Sequence, residues 1–84
     1  MGKMKICVFL ENGTTVEETI PFGGEIPLVL KTILFNKVIV NFGLQLPNIA
    51  RNDVITTIII HYNELNYTYV KQTHNSFVLK TIVK

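Results

Sequence analysis

Val54-Ile55-Thr56-Thr57-Ile58-Ile59-Ile60-His61-Tyr62, Asn66-Tyr67-Thr68-Tyr69-Val70-Lys71-Gln72-Thr73 and Phe77-Val78-Leu79-Lys80-Thr81-Ile82-Val83 are three successive runs of strand-forming residues. Asn63-Glu64-Leu65-Asn66 and His74-Asn75-Ser76, both turn-forming, separate them. Spacers this short join only antiparallel neighbours, so the C-terminal thirty residues predict a meander.

The rest of the composition points the same way. Eleven Ile, nine Val and nine Thr stand against a single Ala, Ala50. β-branched side chains are stiff at χ1 and suit a pleated sheet, whereas a helical chain draws more on Ala. At 84 residues the chain predicts one domain, 1–84. A domain of that size buries only a little over ~60% of its unfolded surface. Yet 48% of its residues are hydrophobic, 17% are charged and the mean hydropathy is +0.33. The excess apolar surface predicts residues left facing solvent or a partner.

Upstream, Lys3–Leu10 reads as a strand, Glu11-Asn12-Gly13-Thr14 as a turn, and Thr15–Ile20 as a second strand stopped by Pro21-Phe22-Gly23-Gly24. The segment around 27–36 is open to two readings. Ile26, Val29, Leu30, Ile33 and Leu34 keep helical spacing, with Pro27 suited to a first turn. Val29, Thr32 and Ile33 are poor helix formers, and a buried strand Leu28–Phe35 competes with the helix. Lys37–Phe42 reads as a strand, and Asn48–Asp53 belongs to the most loop-like stretch. The expected fold class is therefore mainly β: a twisted antiparallel sheet or small barrel with at most one short helix, about 27–36.

Met4-Lys5-Ile6-x-Val8, the Asn12-Gly13-Thr14 turn, Pro21 and Ile26-x-x-Val29-x-x-x-Ile33 resemble the opening of the ubiquitin-like β-grasp fold. The resemblance covers the first third of the chain and implies an α+β alternative, in which a helix follows the first hairpin. The C-terminal Ile82-Val83-Lys84 lacks the diglycine used by conjugating and sulfur-carrying members, so no function is carried across.

Charge narrows the function classes. Seven Lys and one Arg against six acids give net +2, with the Lys residues dispersed. That is far from a nucleic-acid footprint. No apolar run approaches the ~18 residues of a spanning helix, the N-terminus lacks a signal-peptide pattern, and Ile6 stands where a myristoylation motif needs Ser or Thr. The lack of a spanning run predicts no membrane partner, and one cysteine, which cannot form an internal disulfide, predicts a reducing, cytoplasmic setting.

Candidate chemistry is sparse. Cys7, His61 and His74 are the one nucleophile-and-base set, but Cys7 sits between Ile6 and Val8 in an apolar strand and reads as a small buried side chain. The two histidines lie thirteen positions apart, away from zinc-ligand spacing. Adjacent strand residues Glu17 and Glu18 point to opposite faces and cannot act as an acid–base pair. No catalytic residue, metal site or cofactor is expected.

Interaction features are clearer. Tyr67, Tyr69 and Lys71 fall on one strand face, with Tyr62 ending the preceding strand beside them. Such a patch serves a protein interface, stacks single-stranded bases, or simply packs the sheet. Ile58-Ile59-Ile60 puts apolar side chains on both faces of one strand, where a sheet with one wet face alternates. A second subunit is an economical cover for the second face. Ile58, Ile59, Ile60, Tyr62, Tyr67, Tyr69 and Lys71 are thus the candidate interface of a small non-enzymatic interaction protein: an inhibitor, adaptor or assembly subunit, self-associating. The alternative is a nucleic-acid-binding β-module using Tyr62, Tyr67, Tyr69 and Lys71. Abundant Asn, Ile, Lys and Thr suggest an AT-rich source genome, compatible with a phage or mobile element.

Overall fold

The computed structural model describes residues 2–84. Every strand belongs to a single antiparallel sheet that curls into a half-barrel. In chain order the strands are β1 (Gly2–Leu10), β2 (Thr15–Phe22), β3 (Val29–Ile33), β4 (Val38–Ile39), β5 (Leu44–Gln45), β6 (Ile55–Tyr62), β7 (Leu65–Thr73) and β8 (Ser76–Val83). In space they run β2-β1-β6-β7-β8-β3-β4-β5.

The expected meander is β6–β7–β8. Tyr62 pairs with Leu65, so only Asn63 and Glu64 form the connecting loop, and both have positive φ, 52° and 64°. That geometry matches the right-handed strand twist and closes the hairpin two residues tighter than the turn signal suggested. The next hairpin closes at Thr73 and Ser76, where the Thr73 hydroxyl lies 2.7 Å from Ser76 Oγ and donates to Asn75 Oδ1 at 2.9 Å. The first hairpin turns at Asn12-Gly13. Gly13 has φ 91°, a value that side chains disfavour, and Asn12 Oδ1 accepts the Thr14 N–H at 2.9 Å.

Within the 27–36 segment, Val29–Ile33 is a strand and 34–36 a turn. No α-helix forms there, so the short helix, and with it the β-grasp-like alternative, is not the fold. Burial shows why: Leu30 and Thr32 are sealed while Lys31 and Ile33 are open, a period of two. Leu30 pairs with Phe77 across the β3–β8 ladder, so sheet packing prevails over the helical spacing. Leu34, Phe35 and Asn36 then all take left-handed φ, 53°, 61° and 64°, which turns the chain into β4. The strand expected over Lys37–Phe42 shrinks to Val38–Ile39, because Val40–Phe42 winds into a 3-10 turn ended by left-handed Gly43.

That turn has a structural task. Asn41 accepts the Lys31 N–H on Oδ1 at 2.7 Å and donates from Nδ2 to the Val29 carbonyl at 3.1 Å. Its side-chain amide stands in for a neighbouring strand where β4 has ended, satisfying backbone groups at the β3 edge.

The core fills the concave side. Met4, Ile6, Val8, Ile58, Ile60, Tyr69, Leu30 and Phe77 line it from the strands. Leu46 and Ile49, from the connection between β5 and β6, complete the buried cluster. Phe22 bridges the gap between β2 and the β3–β5 flap, meeting Phe42 and Tyr62 edge-on at 5.5 and 5.2 Å between ring centroids.

Candidate interaction surfaces

The register decides which predicted site residues share a face. Ile58 opposes Tyr69 and Ile60 opposes Tyr67, while Tyr62, opposite Leu65, stands diagonal to Tyr67. All five sit on the concave face. Ile58, Ile60 and Tyr69 are completely buried, and Tyr62 and Tyr67 pack half-buried against the same core. The tyrosine face is therefore core lining, not an open patch. Sheet curvature turns it inward, which period-two spacing alone does not disclose.

Tyr69 shows how complete that burial is. Its hydroxyl donates to the Pro27 carbonyl at 2.6 Å, pinning the linker that leads into β3. Desolvation, with Tyr67 close by, pushes its pKa up to about 12. A ring so enclosed cannot stack on a base. Lys71 shares this face but lies exposed, two residues beyond Tyr69 at the end of the barrel.

Ile59 goes the other way. It projects from the convex face between Cys7 on β1 and Thr68 on β7. The row beside it crosses five strands: Phe9, Thr57, Val70, Val78 and Val29 are consecutive cross-strand partners. Each is half-buried, and none belongs to the core cluster or packs against it. Four apolar side chains and one threonine thus form a band on the outer face. No family model matches this chain, and neither a curated protein nor a solved structure does.

Cys7 lies on this outer face at 5% exposure, its thiol 3.8 Å from Glu17 Oε1. Burial and the adjacent Glu17 carboxylate push its pKa up, opposing the thiolate that a nucleophile requires. His61 Nδ1 is engaged by Asn66 Oδ1, and His74 is exposed at the β7–β8 turn, so the three are not one constellation. Among the described residues no group of three or more His, Cys, Asp or Glu gathers where a metal ion would be held. Nor is any helix among them long and apolar enough to cross a membrane.

A second open surface was not visible in the sequence. The turn after β3 holds Leu34 and Phe35 out to solvent, 68% and 58% exposed. Arg51, from the loop before β6, lies 4.5 Å above the Phe35 ring. Between the turn and that loop runs an open groove of about 560 Å³, reached also by Lys71, His74 and Asn75. Three consecutive left-handed residues, two of them large and apolar, have no local sequence signal.

Proposed function

We propose that this chain is a small non-enzymatic interaction protein that self-associates through its convex sheet face. The observation that carries the reading is the Phe9–Thr57–Val70–Val78–Val29 row with Ile59 beside it, an apolar band on the side of the sheet away from the core. An antiparallel sheet with a solvated outer face would alternate to polar residues there. A second copy supplies a matching band by two-fold symmetry.

Association along the sheet edge is the less favourable route. β2 is an edge strand that carries Glu17, Glu18 and Pro21. A second β2 would set like charges close together and meet a residue with no N–H to donate. Face-to-face packing avoids both. A reducing, cytoplasmic setting suits the lone unpaired Cys7.

Sedimentation equilibrium at micromolar concentration tests this. The expected mass exceeds the 9.6 kDa monomer. A monomer that persists as concentration rises to the millimolar range contradicts the reading.

A further inference from the structure

The groove beside the Leu34–Phe35 turn is separate from the convex band and has a different character. Its apolar lining comes from Ile33, Leu34, Phe35 and Val54. Its polar lining is cationic on balance: Arg51 and Lys71 against the single carboxylate of Asp53. Asp53 Oδ2 accepts the Ala50 N–H at 2.8 Å and so holds the loop's own turn, and the two cations outnumber this one carboxylate.

Arg51 is set up to receive an anion. Its guanidinium carbon stands 4.5 Å from the Phe35 ring centroid, within cation–π range, which holds the cation at the mouth of the groove. A guanidinium carries five N–H donors in a fork that matches a carboxylate in a bidentate pair. Lys71 adds a second, more mobile positive charge on a flexible stem. The backbone strain bears on the same point. Left-handed φ costs roughly 1–2 kcal/mol per non-glycine residue, and here it holds Leu34 and Phe35 at the groove rather than in the core. Backbone strain of this kind clusters at ligand clamps and switch regions, which supports reading the groove as a binding surface.

We infer that this groove binds an acidic segment of a partner protein, seating an apolar side chain on Leu34 and Phe35 while flanking carboxylates meet Arg51 and Lys71. Charge complementarity selects this occupant over a basic segment. The single ring at the groove, already covered on one face by Arg51, leaves a nucleic-acid strand without successive stacking platforms.

Fluorescence anisotropy provides the test, with a labelled hexapeptide of order glutamate, glutamate, leucine, phenylalanine, glutamate, glutamate as probe. The comparison probes are the same peptide with lysine for glutamate, and a labelled twelve-residue oligothymidylate. Saturable binding of the acidic peptide is expected, weakened about tenfold by Arg51→Gln and by Lys71→Gln, two substitutions on different elements. Lys3→Gln, outside the groove, should leave it unchanged, with folding of every variant checked by circular dichroism. Binding should persist in Ile59→Glu, which separates this groove from the convex band. Absence of saturable binding overturns the inference, as does equal affinity for the lysine peptide. Tighter binding of the oligonucleotide, lost in Arg51→Gln, overturns it in favour of a nucleic-acid site.

Discussion

Ile58 and Ile60 are sealed in the core, while Ile59, between them on the same strand, stands partly open on the other face. The three are chemically identical and adjacent, and β6 is central in the sheet, so residue type does not separate them. Curvature does. The concave side is filled by Tyr69, Phe77, Leu46 and Ile49, and none of Ile59, Phe9, Thr57, Val70, Val78 and Val29 belongs to that core cluster. An apolar run in a small half-barrel is thus split, one part sealed in the core and one left partly open on the convex face, where the proposed self-association would cover it.

The largest predicted contrast is in stability. Ile58→Ala or Phe77→Ala should cost about 2–5 kcal/mol in urea unfolding, since each leaves a cavity in a sealed core. Ile59→Ala should cost under about 1 kcal/mol in the monomer, because the truncated surface is already partly wet. Equal losses at Ile58 and Ile59 would break the distinction between the faces.

Tyr69 sharpens the inner side of the comparison. Tyr69→Phe leaves the Pro27 carbonyl without its donor and should cost about 1–3 kcal/mol. There is also an alkaline signature. The folded pKa is raised to about 12 from an ordinary 10.0, so the protonated phenol stabilises the fold fully below pH 10 and that contribution is lost as pH rises toward 12. Wild-type stability should fall across that window, measured by urea unfolding at stepped pH, and Tyr69→Phe should fall less steeply.

The smallest effect lies in the β3–β5 flap and has the opposite sign. Leu34→Gly removes the cost of a left-handed leucine and should stabilise the protein by about 1 kcal/mol. Thermal unfolding should show a higher Tm for this variant, accompanied by weaker binding of the acidic hexapeptide. Destabilisation would mean that Leu34 contributes packing that outweighs its backbone strain.

How far these features were legible in the sequence follows the same division. The meander and the first hairpin could be read because each strand's β-branched run and each turn's Asn, Gly or Ser act locally. The flap could not, because Leu34, Phe35 and Asn36 adopt their conformation through ladder pairing and the Thr32–Asn36 side-chain bond, at 2.9 Å, which local propensity does not encode. Tyr67, Tyr69 and Lys71 do share a strand face, as period-two alternation requires, but which face is inward depends on how the whole sheet curls. Asn41 and Arg51 were unremarkable in sequence. Their significance comes from partners ten or more positions away, Lys31 and Phe35.

The central claim is that neighbouring isoleucines on β6 serve opposite sides of the sheet, and one paired measurement tests it most directly. Sedimentation velocity and far-UV circular dichroism should be recorded for Ile59→Glu and Ile60→Glu at the same concentration. The account predicts a folded, monomeric Ile59→Glu, because a charge on the convex band breaks association and leaves the core intact. It predicts an unfolded Ile60→Glu, because a carboxylate there is buried without a partner. An Ile59→Glu protein that keeps the wild-type association state, or an Ile60→Glu protein that remains folded, would contradict it.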